Sequence, residues 1–336
     1  LVRSRGLGDV YKRQGLSIVP LAVILGDATE QISIYTGPKI GGLLNATMGN
    51  IPELLIGFFA MKAGLFSLVL ASMAGSIIGN ILLVLGFSVF LGGMKYKHQY
   101  FQKDIARSNF TLLFFAAISI IVPYAFSHSI SGNSKIIVNI QSFSLGLAII
   151  LLSLYILGLI YSLITHRNIF IEHQPHENEE EETPKWSLSK SIIILAISTF
   201  FVAIESEMLV ATVEHTVSQL GISEAFIGII VIPILGNVAE HASAMIMAVN
   251  NKIDISLEIA VGSSMQIAMF VAPLLVILSF VIGTPMSYLY SYFQVISLII
   301  GIALALFVFQ DGKTNWLEGV QLIACYFIIG MAFFFL

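Results

Sequence analysis

The sequence predicts an all-α protein, a polytopic membrane helix bundle of two inverted-topology five-helix repeats with discontinuous helices at a repeated motif. Three observations carry this. The 336 residues are 57% hydrophobic and 11% charged, with a mean hydropathy of +0.92. The apolar residues fall into ten long segments without period-2 alternation. One short string, Gly-Asn-x-x-Glu, occurs twice inside such segments, at Gly49–Glu53 and Gly236–Glu240.

Composition sets the class. A soluble domain of this length needs far more charge to cover its surface, so the chain reads as one membrane bundle. The net charge of −4 points to no partner, and nothing in the sequence indicates nucleic acid. Cys325 is the single cysteine. An intramolecular disulfide is therefore excluded, and no zinc-ligand spacing surrounds it.

Taken in order, Leu1 to Gln14 is polar and basic, and an apolar run starts abruptly at Gly15. The string Asp9-Val10-Tyr11-Lys12-Arg13-Gln14 reads as the translated end of a sequencing-library transposon, so 1–14 is set aside as a scar. The run 15–29 is short of the roughly 20 residues a span needs. The expectation is a first helix that starts partway, with the natural chain beginning upstream. Segments 38–62, 65–93, 108–128 and 136–165 complete a first repeat, 15–165. The connector 166–187 holds Glu177 and Glu179 to Glu182, the only strongly acidic run. It reads as a solvated cytosolic loop, or more sharply as a Ca²⁺-responsive element. Segments 188–213, 222–249, 255–283, 288–310 and 315–336 form the second repeat, 188–336. With 1–14 set aside, ten of twelve Lys and Arg fall in loops on one face, among them Lys95, Lys97, Arg107, Lys252 and Lys313. Lys62 and Lys135 fall on the other. Excess positive charge marks the cytoplasmic side, which puts the acidic loop inside and the C-terminus outside.

The repeat is spaced evenly. Asn50 and Asn237 are 187 residues apart, as are Glu53 and Glu240, Gly41 and Gly228, and Gly75-Ser76 and Gly262-Ser263. Apolar bias alone does not produce matched Asn, Glu, Gly and Ser. The copies lie in the second and seventh segments, five crossings apart, so the halves run in opposite directions. Inverted repeats with a polar site near the midplane are a recurrent plan for secondary transporters.

The motif residues suit one chemistry. A carboxylate at mid-membrane costs roughly 2.5–3.5 kcal/mol on insertion scales and so faces a partner or polar cavity. Gly49 and Gly236 weaken the helix at the motif. Pro52 and Pro233 weaken it further. Unwinding frees carbonyls, which membrane depth tolerates only around a cavity. Carbonyls and carboxylates are hard ligands, and Ca²⁺ takes six to eight such oxygens at roughly 2.3–2.6 Å. Glu53 and Glu240 supply up to four; Asn side chains, carbonyls and water complete the shell. Soft ligands are missing, against copper or a dedicated zinc carrier. Without a cation, two facing carboxylates repel, and protons neutralise them instead. One divalent cation and protons become alternative occupants of one pocket, the behaviour of an antiporter.

At these strings the chain resembles the cation/proton exchangers of the Ca²⁺/cation antiporter superfamily, over residues 15–336. The strings are Gly41-Gly42-Leu43-Leu44-Asn45-Ala46-Thr47-Met48-Gly49-Asn50-Ile51-Pro52-Glu53 and Pro233-Ile234-Leu235-Gly236-Asn237-Val238-Ala239-Glu240-His241. Gly262-Ser263-Ser264-Met265-Gln266 and Asn315-Trp316-Leu317-Glu318-Gly319 also match. The resemblance implies two inverted five-helix repeats preceded by an extra N-terminal helix. It implies metal-site glutamates at Glu53 and Glu240, and adjacent polar ligands or gates at Asn50, Asn237, Ser76, Ser263 and Gln266. Two departures bear on selectivity. Ile51-Pro52 replaces the usual Ala-Thr or Ala-Val, and Gly79 stands where some members have Ser. Asn at both motif positions fits the proton-coupled branch, because sodium/calcium exchangers of the superfamily have Ser/Thr-rich motifs and further acidic ligands.

The expected activity is exchange of Ca²⁺ for H⁺ by alternating access, with Ca²⁺ as transported substrate and no cofactor. Glu205 and Glu207 are candidates for a cation access path, and His241 for a proton shuttle. Asp27 and Glu30 read as interfacial groups, Glu214 and Glu318 as end-of-helix charges, and Met245 and Met247 as packing. Asn45-Ala46-Thr47 fits a glycosylation sequon but lies at membrane depth. Three other readings stand beside the first: a Na⁺-coupled or broader divalent cation exchanger, a passive cation channel, and an intramembrane hydrolase using Ser243 and His241. A channel ring usually comes from oligomeric symmetry, whereas both carboxylates here lie in one chain. No His-Glu-x-x-His string supports a zinc protease. The expected location is the inner membrane of a prokaryotic cell, with the bilayer, Ca²⁺ and H⁺ as partners.

Overall fold

In a bilayer every backbone polar group must be satisfied within the protein, and long apolar runs answer this as helices. The structure, a computed structural model, describes residues 2–129, 136–161, 164 and 184–336. The first repeat contains α1 (Val2–Met48), α2 (Ile51–Lys62), α3 (Phe66–Ile78), α4 (Leu85–Tyr96), α5 (Lys103–Ser129) and α6 (Ile136–Ile160). The second contains α7 (Leu188–Leu220), α8 (Ile232–Gly236), α9 (Val238–Val249), α10 (Ile253–Gln266), α11 (Ala272–Ile282), α12 (Tyr292–Val308) and α13 (Trp316–Phe335). A two-residue antiparallel pair, β1 (Gln99–Tyr100) with β2 (Lys313–Thr314), joins two loops. The acidic run Glu177 and Glu179 to Glu182 lies outside the described residues, as does the side chain of Glu214.

Seven helices among the described residues are long and apolar enough to cross a membrane, and a bent pair, Glu224–Gly236 with Val238–Val249, makes an eighth. The sequence predicts ten segments, and the difference has two sources. The segment 288–310 forms α12, an apolar helix too short to pass as a span alone. The segment 38–62 is divided between the tail of α1 and the whole of α2, so neither piece qualifies by itself.

The repeat is visible in the element boundaries. α2 and α9 begin and end 187 residues apart. α1 kinks at Gly37 (φ 76°), a backbone that glycine adopts without strain. This kink isolates the tail that leads into the first motif. Its counterpart is a turn at Glu224–Phe226, a π-helical stretch at Ile227–Val231 and α8. Two long central rods follow the motif helices. α3 runs into α4 through a π-helical stretch, Gly79–Val84, and α10 into α11 through another, Ile267–Val271. Each π stretch adds a residue to a turn, a feature frequent at functional sites. The Phe66–Tyr96 rod is almost wholly enclosed.

Close packing at small residues seats the first rod against the Ile227–Val231 stretch, as membrane helices require. A Cβ on Gly75 of α3 would run into the backbone of Ile229, and one on Gly228 would lie 2.5 Å from the Ala71 side chain. α1 and α7 pack along their lengths as an outer pair. Tyr35 donates to the Trp186 carbonyl (2.8 Å), and the Gln31 side chain accepts from the Lys185 amide (2.7 Å). On the face carrying most of the basic residues, the α4–α5 loop grips the α9–α10 turn. Gln99 Nε2 donates to the Ala248 carbonyl (2.7 Å), Lys95 Nζ to the Val249 carbonyl (2.9 Å), and the Gln102 amide to Asp254 (2.8 Å). A lysine at the carbonyl end of α9 also suits the helix dipole.

Candidate cation site

Glu53 and Glu240 each lie in the first turn after a helix break. The two breaks share one backbone: Asn50 has φ −100° and ψ 15°, and Asn237 has φ −101° and ψ 14°. Pro52 and Pro233 occupy the first turns of α2 and α8, where the missing N–H leaves no intrahelical bond unmade. At the second break the chain bends by 64°. Neither asparagine caps the helix it precedes through its side chain. Both reach the opposite repeat instead.

Asn50 Nδ2 donates to Gln266 Oε1 (2.5 Å), joining the first motif to the end of α10. Asn237 Nδ2 donates to Ser76 Oγ (3.3 Å), joining the second motif to α3, and also to the Pro233 carbonyl (3.0 Å). Asn80 Nδ2 donates to Ser263 Oγ (3.0 Å), tying the two central rods together beside their π stretches. Glu240 lies within hydrogen-bonding reach of Ser263, and Glu53 is near enough for the two carboxylates to feel each other. Glu53 also presses on the second motif itself: a Cβ on Gly236 would sit 2.6 Å from Glu53 Oε1. Glycine at 236 thus serves close approach as well as a weakened helix.

Asn50, Glu53, Ser76, Asn80, Asn237 and Ser263 are each at most 4% exposed, while Glu240 and Gln266 are half-buried. Apart from Glu53's own backbone amide, no described donor satisfies either oxygen of Glu53, nor Oε2 of Glu240. Buried polar atoms are nearly always paired, so these oxygens stand out among the described residues. Among the described residues no cluster of three His, Cys, Asp or Glu side chains forms a metal site. The donor set here is two carboxylates within amides and hydroxyls, a hard-oxygen surrounding.

The structure thus brings together all seven residues that the sequence singles out for the metal site. Asn80 is an eighth that the sequence reading passes over. Its counterpart 187 residues on is Ile267, so a search for matched pairs misses it. The readable signal was an amide inside the apolar run Gly79–Val84. Glu205 and Glu207 lie on α7, which packs against α2, and no described hydrogen bond links them to this network. Glu205 is half-buried with Oε2 unsatisfied among described residues, and Glu207 is exposed. His241 is buried beside Glu240. Ser243 is exposed, and residues two apart on a helix face different ways, so Ser243 and His241 form no catalytic pair. Glu318 closes a capping box with Asn315 at the start of α13, the end-of-helix role expected of it. Asp27 and Glu30 line a small cleft with Gln31, Lys185 and Trp186.

The chain is similar to known proteins over most of its length. The family described as sodium/calcium exchanger protein matches residues 15–164 and 190–335. The Ca²⁺/H⁺ antiporter ChaA of Bacillus subtilis (strain 168) is 46% identical over 322 residues, covering 96% of this chain and 90% of the relative. The Ca²⁺/H⁺ antiporter of Aphanothece halophytica is 42% identical over 341 residues, covering 97% and 90%. Among solved structures, native YfkE superimposes with a TM-score of 0.82 at 41% identity, covering 97% of this chain and 92% of that one. The H⁺/Ca²⁺ exchanger CAX superimposes with a TM-score of 0.72 at 17% identity, covering 96% and 84%, a likeness of fold alone.

Proposed function

The chain belongs to the sodium/calcium exchanger protein family, and from that premise we propose that it is an antiporter exchanging Ca²⁺ for H⁺ at the Glu53–Glu240 site. The carrying observation is the placement of each carboxylate against the other repeat: Glu53 against Gly236, and Glu240 beside Ser263, itself bonded to Asn80. A Ca²⁺ bound there neutralises two buried carboxylates and takes the oxygens that the protein leaves unsatisfied. When it departs, protons restore neutrality. A site that crosses the membrane only when neutralised couples the two fluxes in opposite directions. Relatives 40–46% identical are named Ca²⁺/H⁺ antiporters, which supports protons rather than Na⁺ as the counter-ion.

Asn50, Asn237, Ser76, Ser263 and Gln266 then act as ligands or as posts that aim them. The protein sits in the inner membrane of a prokaryotic cell, with the face bearing Lys95 and Lys313 cytoplasmic, the 166–187 loop on that side and the C-terminus outside. Glu205 and Glu207 offer charge along an access path on α7. His241, which follows Glu240 in the chain, is the candidate for passing protons.

The test is ⁴⁵Ca²⁺ uptake into everted vesicles under an imposed pH gradient, with a panel of competing cations. Uptake is expected to require the gradient and to collapse with a protonophore. Uptake that follows the Ca²⁺ gradient and ignores ΔpH would indicate a channel, and uptake driven by Na⁺ alone would indicate the other exchanger branch.

A further inference from the structure

Gly75 and Gly262 hold matching places in the two repeats, on α3 and α10, each directly before a serine of the site. Their surroundings differ completely. Gly75 is buried, and a Cβ there would meet Ile229 Cα at 2.6 Å and its carbonyl carbon at 2.7 Å. Gly262 is half-buried, and a Cβ there would meet no described atom within 4 Å. The second pair of matching glycines shows the same asymmetry. Gly228 packs on Ala71 of α3. Gly41 packs most closely on Ser33, across the α1 kink. Glycine in a helix interior costs about 1 kcal/mol relative to alanine. Gly75 repays that cost in close packing; Gly262 in this conformation does not.

We infer that Gly262 is a working residue of the transport cycle, the contact point at which α10 closes on the 38–48 segment in a second conformation. In that conformation the tight crossing now made by Gly75 and Gly228 opens, and its mirror forms. Under the repeat offset, Ile229 corresponds to Gly42 and Gly228 to Gly41. The segment that would receive Gly262 therefore carries two glycines side by side, and two backbones can approach there as closely as α3 and the Ile227–Val231 stretch do now. The mirror is imperfect at one place. Ala71 corresponds to Glu258, which is exposed here. Closure brings that carboxylate against the 38–48 segment, so the two closed forms are not equal in energy.

The burial of the site agrees. Glu53, on the side of the engaged crossing, is 2% exposed, while Gln266, on the side of the disengaged one, is half-buried, as is Glu240 although its Oε2 is enclosed. With the basic face inside, the disengaged side is cytoplasmic. The structure is then the form that takes cations from the cytoplasm, and closure at Gly262 precedes release on the far side. The inference rests on the antiporter reading for its direction, but the need for two conformations holds for any exchanger built on this site.

The experiment compares Gly262→Ala with the parent and with Gly146→Ala, a helix glycine whose Cβ would likewise meet no described atom within 4 Å. Three measurements are made on each: thermal unfolding in detergent, Ca²⁺ affinity by titration, and exchange in vesicles. For Gly262→Ala the expected result is an unfolding temperature equal to or above the parent's, Ca²⁺ affinity within about twofold, and exchange reduced at least tenfold. Gly146→Ala should exchange like the parent. Exchange by Gly262→Ala within twofold of the parent overturns the inference. So does loss of folding or of Ca²⁺ affinity, because this conformation has room for the methyl. If the parent itself shows no proton-driven Ca²⁺ flux, the antiporter reading fails separately, and the same comparison is made with whichever cation the parent carries.

Discussion

Glu53 and Glu240 occupy matching positions but not matching surroundings. Glu53 is enclosed by Gly236 and its own amide, whereas Glu240 is half-buried beside Ser263. Glu53→Gln and Glu240→Gln each keep the shape and remove one charge and one titrating proton. Either is expected to lower proton-driven Ca²⁺ flux by more than a hundredfold in vesicles while the protein still inserts; normal flux through well-expressed Glu240→Gln would show that the site lies elsewhere. Asn80 gives a finer test. Asn80→Leu removes the donor to Ser263 and leaves that hydroxyl only Glu240 to bond, a cost of about 0.5–1.5 kcal/mol. The expected result is a lower unfolding temperature and a Ca²⁺ affinity weakened by about tenfold, read by titration. The glutamates and their asparagines were legible in the sequence because each is doubled and each is out of place among apolar neighbours. Asn80 was not, because it has no twin, and polarity at one position of a long apolar helix is also what an ordinary helix–helix contact would show.

At the level of elements, the sequence foretold that the motif helices break, since Gly49, Pro52, Pro233 and Gly236 all disfavour a continuous helix there. It did not foretell the π stretches at Gly79–Val84, Ile227–Val231 and Ile267–Val271, because one extra residue in a turn leaves the apolar pattern almost unchanged. Nor did it show which glycines are packed and which are not, a property of the partner helix and not of the string. Gly236→Ala is the informative change at this scale. Its methyl would press on Glu53 Oε1 and displace the carboxylate. Ca²⁺ affinity should fall by about tenfold while the helix, freed of a glycine, keeps its length by circular dichroism. Gly75→Ala should instead destabilise by about 1–3 kcal/mol, the usual cost of overpacking, read as a drop in unfolding temperature.

Across the whole molecule, two faces of unequal charge frame the bundle. The α4–α5 loop, the α9–α10 turn and the β1–β2 pair are knitted together on the basic face. In a Cys325→Ser background, Lys97→Cys should react with a membrane-impermeant maleimide only from the cytoplasmic side, and Lys62→Cys only from outside. The reverse pattern would turn the transporter over and invert the direction assigned to the structure.

The crossed bonds between repeats also set a timetable. Gln266, the partner of Asn50, and Gly236, the wall against Glu53, lie in the second repeat. At roughly 5–20 residues per second, a ribosome needs about 10–40 s to travel from one motif to the other. Throughout that interval the first repeat waits in the bilayer with an unsheltered carboxyl group at its centre. Newborn chains should therefore be vulnerable to quality-control proteases until the second motif arrives. A stop codon placed in the 166–187 connector should yield a fragment cleared within minutes, and the missing half supplied as a separate polypeptide should rescue it.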